Sequence, residues 1–83
     1  MSVGVRPGSP FGEWLSKKIN QSNVSVCQLG EDIHKASSVI YRHIKGLKNP
    51  TFASVVTYCW YFNELLFEKN DPIEVYYKYV ERG

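Results

Sequence analysis

Long apolar runs, paired cysteines and catalytic motifs are all scarce in this chain of 83 residues, and each scarcity removes a class of protein. No stretch approaches the ~18 consecutive apolar residues of a membrane-spanning helix. The segment Met1 to Pro10 lacks the apolar core of a secretory signal, so a cytoplasmic location is expected. Two cysteines, Cys27 and Cys59, are too few for the disulfide framework of a small secreted domain, and no Cys-x-x-Cys spacing offers a zinc site. Both are expected to be buried thiols behaving as small hydrophobes, with a bridge between them as the alternative. No Gly-x-Gly-x-x-Gly, phosphate loop or His-Glu-x-x-His occurs. Cys27 and His34 share a helix face only loosely, and no third group is placed to orient the imidazole. No catalysis, metal or cofactor is therefore expected.

What is present is aromatic. Two Trp, six Tyr and four Phe raise the hydrophobic fraction to 43%, too high for a disordered chain. A chain of this length removes only about 60–65% of its unfolded surface from water, so one small domain with a thin core is expected. The net charge of +2 is unevenly spread. Residues 1–34 are neutral overall; residues 35–62 carry Lys35, Arg42, Lys45 and Lys48 with no acid, and residues 63–83 are acidic by −2. A basic middle, with His34 beside it and His43 within it, is the footprint of a polyanion site.

Periodicity predicts short helices throughout. Ser9 caps the first and Pro10 opens it; Phe11, Trp14, Leu15 and Ile19 follow at helical spacing to about Asn20, and Gln21-Ser22-Asn23 ends it. Ser25 caps a second of about eight residues with the apolar stripe Val26, Leu29 and Ile33. His34-Lys35-Ala36 forms a tight turn. Ser37 or Ser38 caps a third helix, with Ile40 and Ile44 on one face and Gly46 at its end. After a loop at Leu47–Pro50, Thr51 caps a fourth, with Phe52, Val55, Val56, Cys59, Phe62 and Leu66 as its buried stripe and burial on more than one side expected around Tyr58–Phe62. Ile73–Val80 is ambiguous. Its alternation fits a strand, but Asp71, Pro72 and Glu74 spell a helix cap, and the helix is the preferred reading.

A short helix, a tight turn and a second short helix with a basic outer face is the layout that places one helix in the ~12 Å major groove of DNA. Gly30, costly in mid-helix, is expected to permit a close crossing of the third helix over the second. Phe11 to Ile19, Ser25, Leu29-Gly30, Ile33, Ile40-Tyr41-Arg42, Gly46, Lys48-Asn49-Pro50-Thr51-Phe52, Cys59 and Phe62 resemble the pattern of Cro/CI-type helix-turn-helix repressors (the XRE-like domains). The resemblance runs from Phe11 to Phe62 without a gap. Three positions depart from it: the family usually has glycine where His34 stands, an apolar residue at Lys35 and an aliphatic one at His43. Two readings stay open there, an irregular turn with Ala36 as its buried plug or a third helix shifted by one residue.

The resemblance implies an all-α, five-helix lambda-repressor-like domain that binds a double-stranded DNA operator as a transcriptional regulator, most simply a nucleoid-associated repressor. It places Ser37, Ser38, Tyr41, Arg42 and Lys45 against base edges. Arg42 is the leading base contact, since its fork matches the O6 and N7 of guanine. Lys35, Lys48, Asn49 and Ser25 are expected at the DNA backbone, Ser25 with the first N–H groups of its helix. His34 and His43 are read as polar rim positions. Residues 1–8, with Arg6, are expected to be a flexible arm, residues 9–70 the DNA-binding domain, and residues 71–83 a dimerisation element. Specific affinity usually needs two half-sites, so a homodimer is expected through Trp60, Tyr61, Ile73, Tyr76, Tyr77 and Val80. No small-molecule effector and no membrane are expected as partners. The alternative from another class is an antitoxin-like or adaptor module whose aromatic C-terminal surface binds a protein, with DNA binding secondary.

Overall fold

The computed structural model describes residues 6–81, all of whose regular structure is helical. Helix α1 spans Pro10–Ser22, α2 Val26–Ile33, α3 Ser37–Lys45 and α4 Phe52–Leu66; α5 is α-helical over Pro72–Val75 and continues as a π-helix over Tyr76–Glu81. The strand alternative for residues 73–80 is thereby overturned. A strand would put Ile73, Val75 and Tyr77 on one face. Instead Val75 is buried while Ile73 and Tyr77 point out, with Asp71 Oδ1 accepting the Ile73 N–H at 3.0 Å to start the helix.

Caps set the boundaries. Ser9 Oγ accepts the Gly12 N–H, Ser25 Oγ the Gln28 N–H and Thr51 Oγ1 the Ser54 N–H, at 3.0, 3.0 and 3.2 Å. These satisfy donors that the first turn of a helix leaves unpaired. Helix α1 runs two residues past its expected end to Ser22, whose hydroxyl donates to the Ile19 carbonyl at 2.9 Å, and Asn23, left-handed at φ 59°, stops it. Helix α3 starts without either expected serine cap. Ala36 is the cap residue, its carbonyl accepting the N–H groups of Val39 and Ile40, so Ser37 and Ser38 lie inside the helix. Ala36 is exposed and is no buried plug.

One core joins all five helices. Phe11, Leu15, Leu29, Ile40, Val55, Phe62 and Val75 meet in it, with Tyr58 fully buried among them. Helix α4 presents Val55, Tyr58, Cys59 and Phe62, a stripe at i, i+3, i+4 and i+7. The stripe expected from apolar content alone is corrected accordingly. Phe52 and Val56 fall outside it and are exposed, and Trp60 points away from the core at 60% exposure. The expectation of two buried thiols is half wrong: Cys59 is buried, Cys27 lies exposed near the start of α2, and both are free. The segment between α4 and α5 is closed by the Asn63 side chain, whose Oδ1 accepts the Asn70 backbone N–H at 2.7 Å and whose Nδ2 donates to the Asn70 backbone carbonyl. Lys18 on α1 ties it down through an ion pair with Glu68 at 2.6 Å.

Candidate nucleic-acid interface

Helix α3 is held from three sides, and its outward face is left free. Ile40 and Ile44 are fully buried beneath it. His43, expected at the rim, is instead in the core at 2% exposure, where its Nδ1 shares a 2.9 Å hydrogen bond with the Tyr58 hydroxyl of α4. The polar pair explains how a histidine occupies an otherwise apolar position: each ring satisfies the other where water is excluded. Burial, with Lys35 and Lys48 nearby, pushes the imidazole down to about 4, so it is neutral at pH 7. Burial likewise pushes the Tyr58 phenol far above its ordinary value.

The start of α3 is set by the turn. His34 takes the left-handed conformation at φ 58°, the geometry for which glycine is ordinarily chosen, and Lys35 N–H donates to the Gly30 carbonyl at 2.9 Å. A Cβ on Gly30 would lie 2.6 Å from the Lys35 carbonyl oxygen and 3.5 Å from Ile40 Cδ1, so the expected close approach is present, chiefly against the turn. The end of α3 is a Schellman motif: Gly46 N–H reaches the His43 carbonyl and Leu47 N–H the Arg42 carbonyl, at 3.4 and 3.0 Å. Gly8 N–H adds a bond to the Ile44 carbonyl at 2.9 Å. That residue of the expected flexible arm is therefore fixed to α3. Arg6 is exposed, and residues 1–5 of the arm lie outside the described residues.

Ser38, Tyr41, Arg42 and Lys45, spaced at i, i+3, i+4 and i+7, line one shallow groove together with Leu47. Four of the five expected base-contacting residues are thus brought together. Ser37 is not; it is half-buried at the first turn, its backbone N facing Gly30. Of the expected backbone contacts, Lys48 and Asn49 are exposed beyond the end of α3, Lys35 is half-buried in the turn, and Ser25 is exposed at the start of α2. Among the described residues none of Lys35, Arg42, Lys45 and Lys48 is paired with a carboxylate. Asp32, the nearest acid in sequence, is engaged by the Tyr61 hydroxyl of α4 at 2.6 Å and by Gln28 at 2.9 Å. The cationic face therefore keeps its charge for an external anion.

The expected dimer residues divide into two sets. Trp60, Ile73 and Tyr77 are exposed at 60, 55 and 55%. Tyr61 is committed to Asp32, Tyr76 packs edge-on against Phe52 with ring centroids 5.5 Å apart, and Val80 packs on the core. Sequence reasoning missed Leu47, which completes the groove; its place directly after a left-handed glycine was the available clue. It also missed Gly12, where α1 passes so close to α3 that a Cβ would lie 2.1 Å from the Ile44 carbonyl oxygen. Among the described residues no group of three His, Cys, Asp or Glu could hold a metal, and no helix is long and apolar enough to cross a membrane. No protein-family model, no curated protein and no solved structure matches the chain.

Proposed function

We propose that this chain is a sequence-specific, double-stranded DNA-binding transcriptional regulator of the Cro/CI-like helix-turn-helix kind, most simply a repressor that occludes a promoter. The observation that carries the reading is the outward face of α3. Ser38, Tyr41, Arg42 and Lys45 share one groove on a helix joined by a three-residue turn to α2, and among the described residues no carboxylate pairs with Arg42 or Lys45. In this reading α3 enters the major groove and Arg42 grips guanine, a contact worth about 1–3 kcal/mol. Lys35, Lys45 and Lys48 neutralise phosphates. The Ser25 hydroxyl, already accepting from Gln28, retains its proton to donate to a phosphate at the start of α2.

One such module buries only about 600–1,000 Å² on DNA, so two copies on a palindromic operator are expected. Phe52, Val56, Trp60, Ile73 and Tyr77, exposed on α4 and α5, supply an apolar surface for the second copy. The same surface favours the adaptor reading, in which the partner is a different protein. The two readings separate in one experiment: binding to the duplex upstream of the chain's own coding sequence against a scrambled duplex, across a salt series. Tight, sequence-selective binding that is lost in Arg42→Ala/Lys45→Ala supports the regulator. Equal, weak binding to both duplexes removes it and leaves the adaptor.

A further inference from the structure

We propose that the groove between Tyr41 and Leu47 is a thymine-methyl pocket and that Leu47 is a specificity-determining residue. The inference rests on the DNA-binding reading and adds to it the identity of one base and the side chain that recognises it.

A single exposed leucine is ordinary on a protein surface, and three features set Leu47 apart. Its backbone is fixed, because its N–H is bonded to the Arg42 carbonyl at 3.0 Å within the motif that ends α3. In such motifs the residue after the left-handed glycine commonly folds back onto the last turn of the helix. Leu47 does share a groove with Tyr41 and Arg42, yet it remains 73% exposed, so most of its apolar surface faces outward. Finally, its surroundings are cationic: Arg42 and Lys45 line the same groove, Lys48 follows in sequence, and none is paired with a carboxylate among the described residues.

An occupant must therefore satisfy an apolar wall and a cationic rim together. Duplex DNA meets both, because thymine presents a C5-methyl group in the major groove beside phosphates on either side. Tyr41 and Leu47 would close on that methyl while Arg42 reads a neighbouring base. Such a pocket also separates DNA from RNA, whose uracil lacks the methyl.

The test uses the full chain and a duplex recovered by repeated selection from a random-sequence library. Its affinity is compared with that of the same duplex in which every thymine is replaced by 2′-deoxyuridine, which removes the methyl groups and keeps every hydrogen-bonding edge. Burying one methyl-sized group corresponds to about a fourfold change in affinity per contacted thymine. Wild type should therefore lose about fourfold for one half-site. Leu47→Ala, truncating an exposed side chain, should fold normally and discriminate between the two duplexes less than wild type does. Discrimination undiminished in Leu47→Ala overturns the role of Leu47. Equal binding of both duplexes by wild type, with Arg42→Ala still weakening it, overturns the pocket and leaves the DNA-binding reading standing. Failure to recover any duplex overturns both.

Discussion

The buried His43–Tyr58 pair makes stability depend on pH in a defined window. His43 is held at about 4 in the folded protein against an ordinary 6.5, through burial first and then the charges of Lys35 and Lys48. The unfolded chain therefore binds a proton that the folded protein refuses between those two values. Stability from this source is complete above pH ~6.5, falls as pH drops from about 6.5 to about 4, and changes no further below that. At roughly 1.4 kcal/mol per pH unit, the loss is about 3 kcal/mol, a large share of the 5–15 kcal/mol or so that holds a small domain together. The assay is urea unfolding followed by tryptophan fluorescence at pH 7.5, 6.5, 5.5 and 4.5. His43→Gln, which keeps a polar partner for the Tyr58 hydroxyl but does not titrate, serves as the comparison. Glu68, held below its ordinary value chiefly by its hydrogen bond from Lys18, adds an acid-side loss common to both proteins. The reasoning predicts that the wild-type curve falls about 2–3 kcal/mol further than the variant's over this range. Parallel curves would refute it, as would an NMR titration placing His43 near 6.5.

Three other substitutions probe the scaffold. Phe67 ends α4 in the left-handed conformation at φ 55° while 94% exposed, so Phe67→Gly should raise stability by up to about 1 kcal/mol in the same unfolding assay. Gly12→Ala should cost about 3 kcal/mol or more and lower the melting temperature accordingly, because its Cβ would meet the backbone carbonyl of Ile44 at 2.1 Å. The proposed dimer through α4 and α5 predicts that Trp60→Ala, at a position 60% exposed, leaves the core intact and shifts sedimentation toward monomer; a dimer unchanged by it excludes Trp60 from the interface, and a monomeric wild type excludes the dimer.

The helices were legible in the sequence where a local rule decides them. Ser9-Pro10, Ser25, Thr51 and Asp71 each announce a helix start through their own side chains, and all four act as caps. The same logic failed at α3, where two serines offered caps and the alanine before them took the position with its backbone alone. Burial on α4 was misjudged because Phe52 and Val56 are as apolar as the residues that are buried; the direction of the stripe is set by the other helices. His43 was misplaced for a related reason. Its partner Tyr58 lies across the helix pair, and no local pattern joins the two. The groove residues on α3 were legible because helical spacing alone brings Ser38, Tyr41, Arg42 and Lys45 to one face. Leu47 was not, since its position follows from the turn beyond the helix.

Whether α3 is the surface that meets DNA is decided by amide chemical shifts of the labelled protein titrated with a selected duplex. The account predicts that the shifted residues cluster at the start of α2, along Ser38, Tyr41, Arg42 and Lys45, and at Leu47–Asn49, with the core amides of α1 unchanged. Shifts confined to α4 and α5, or none at all at saturating duplex, would contradict it.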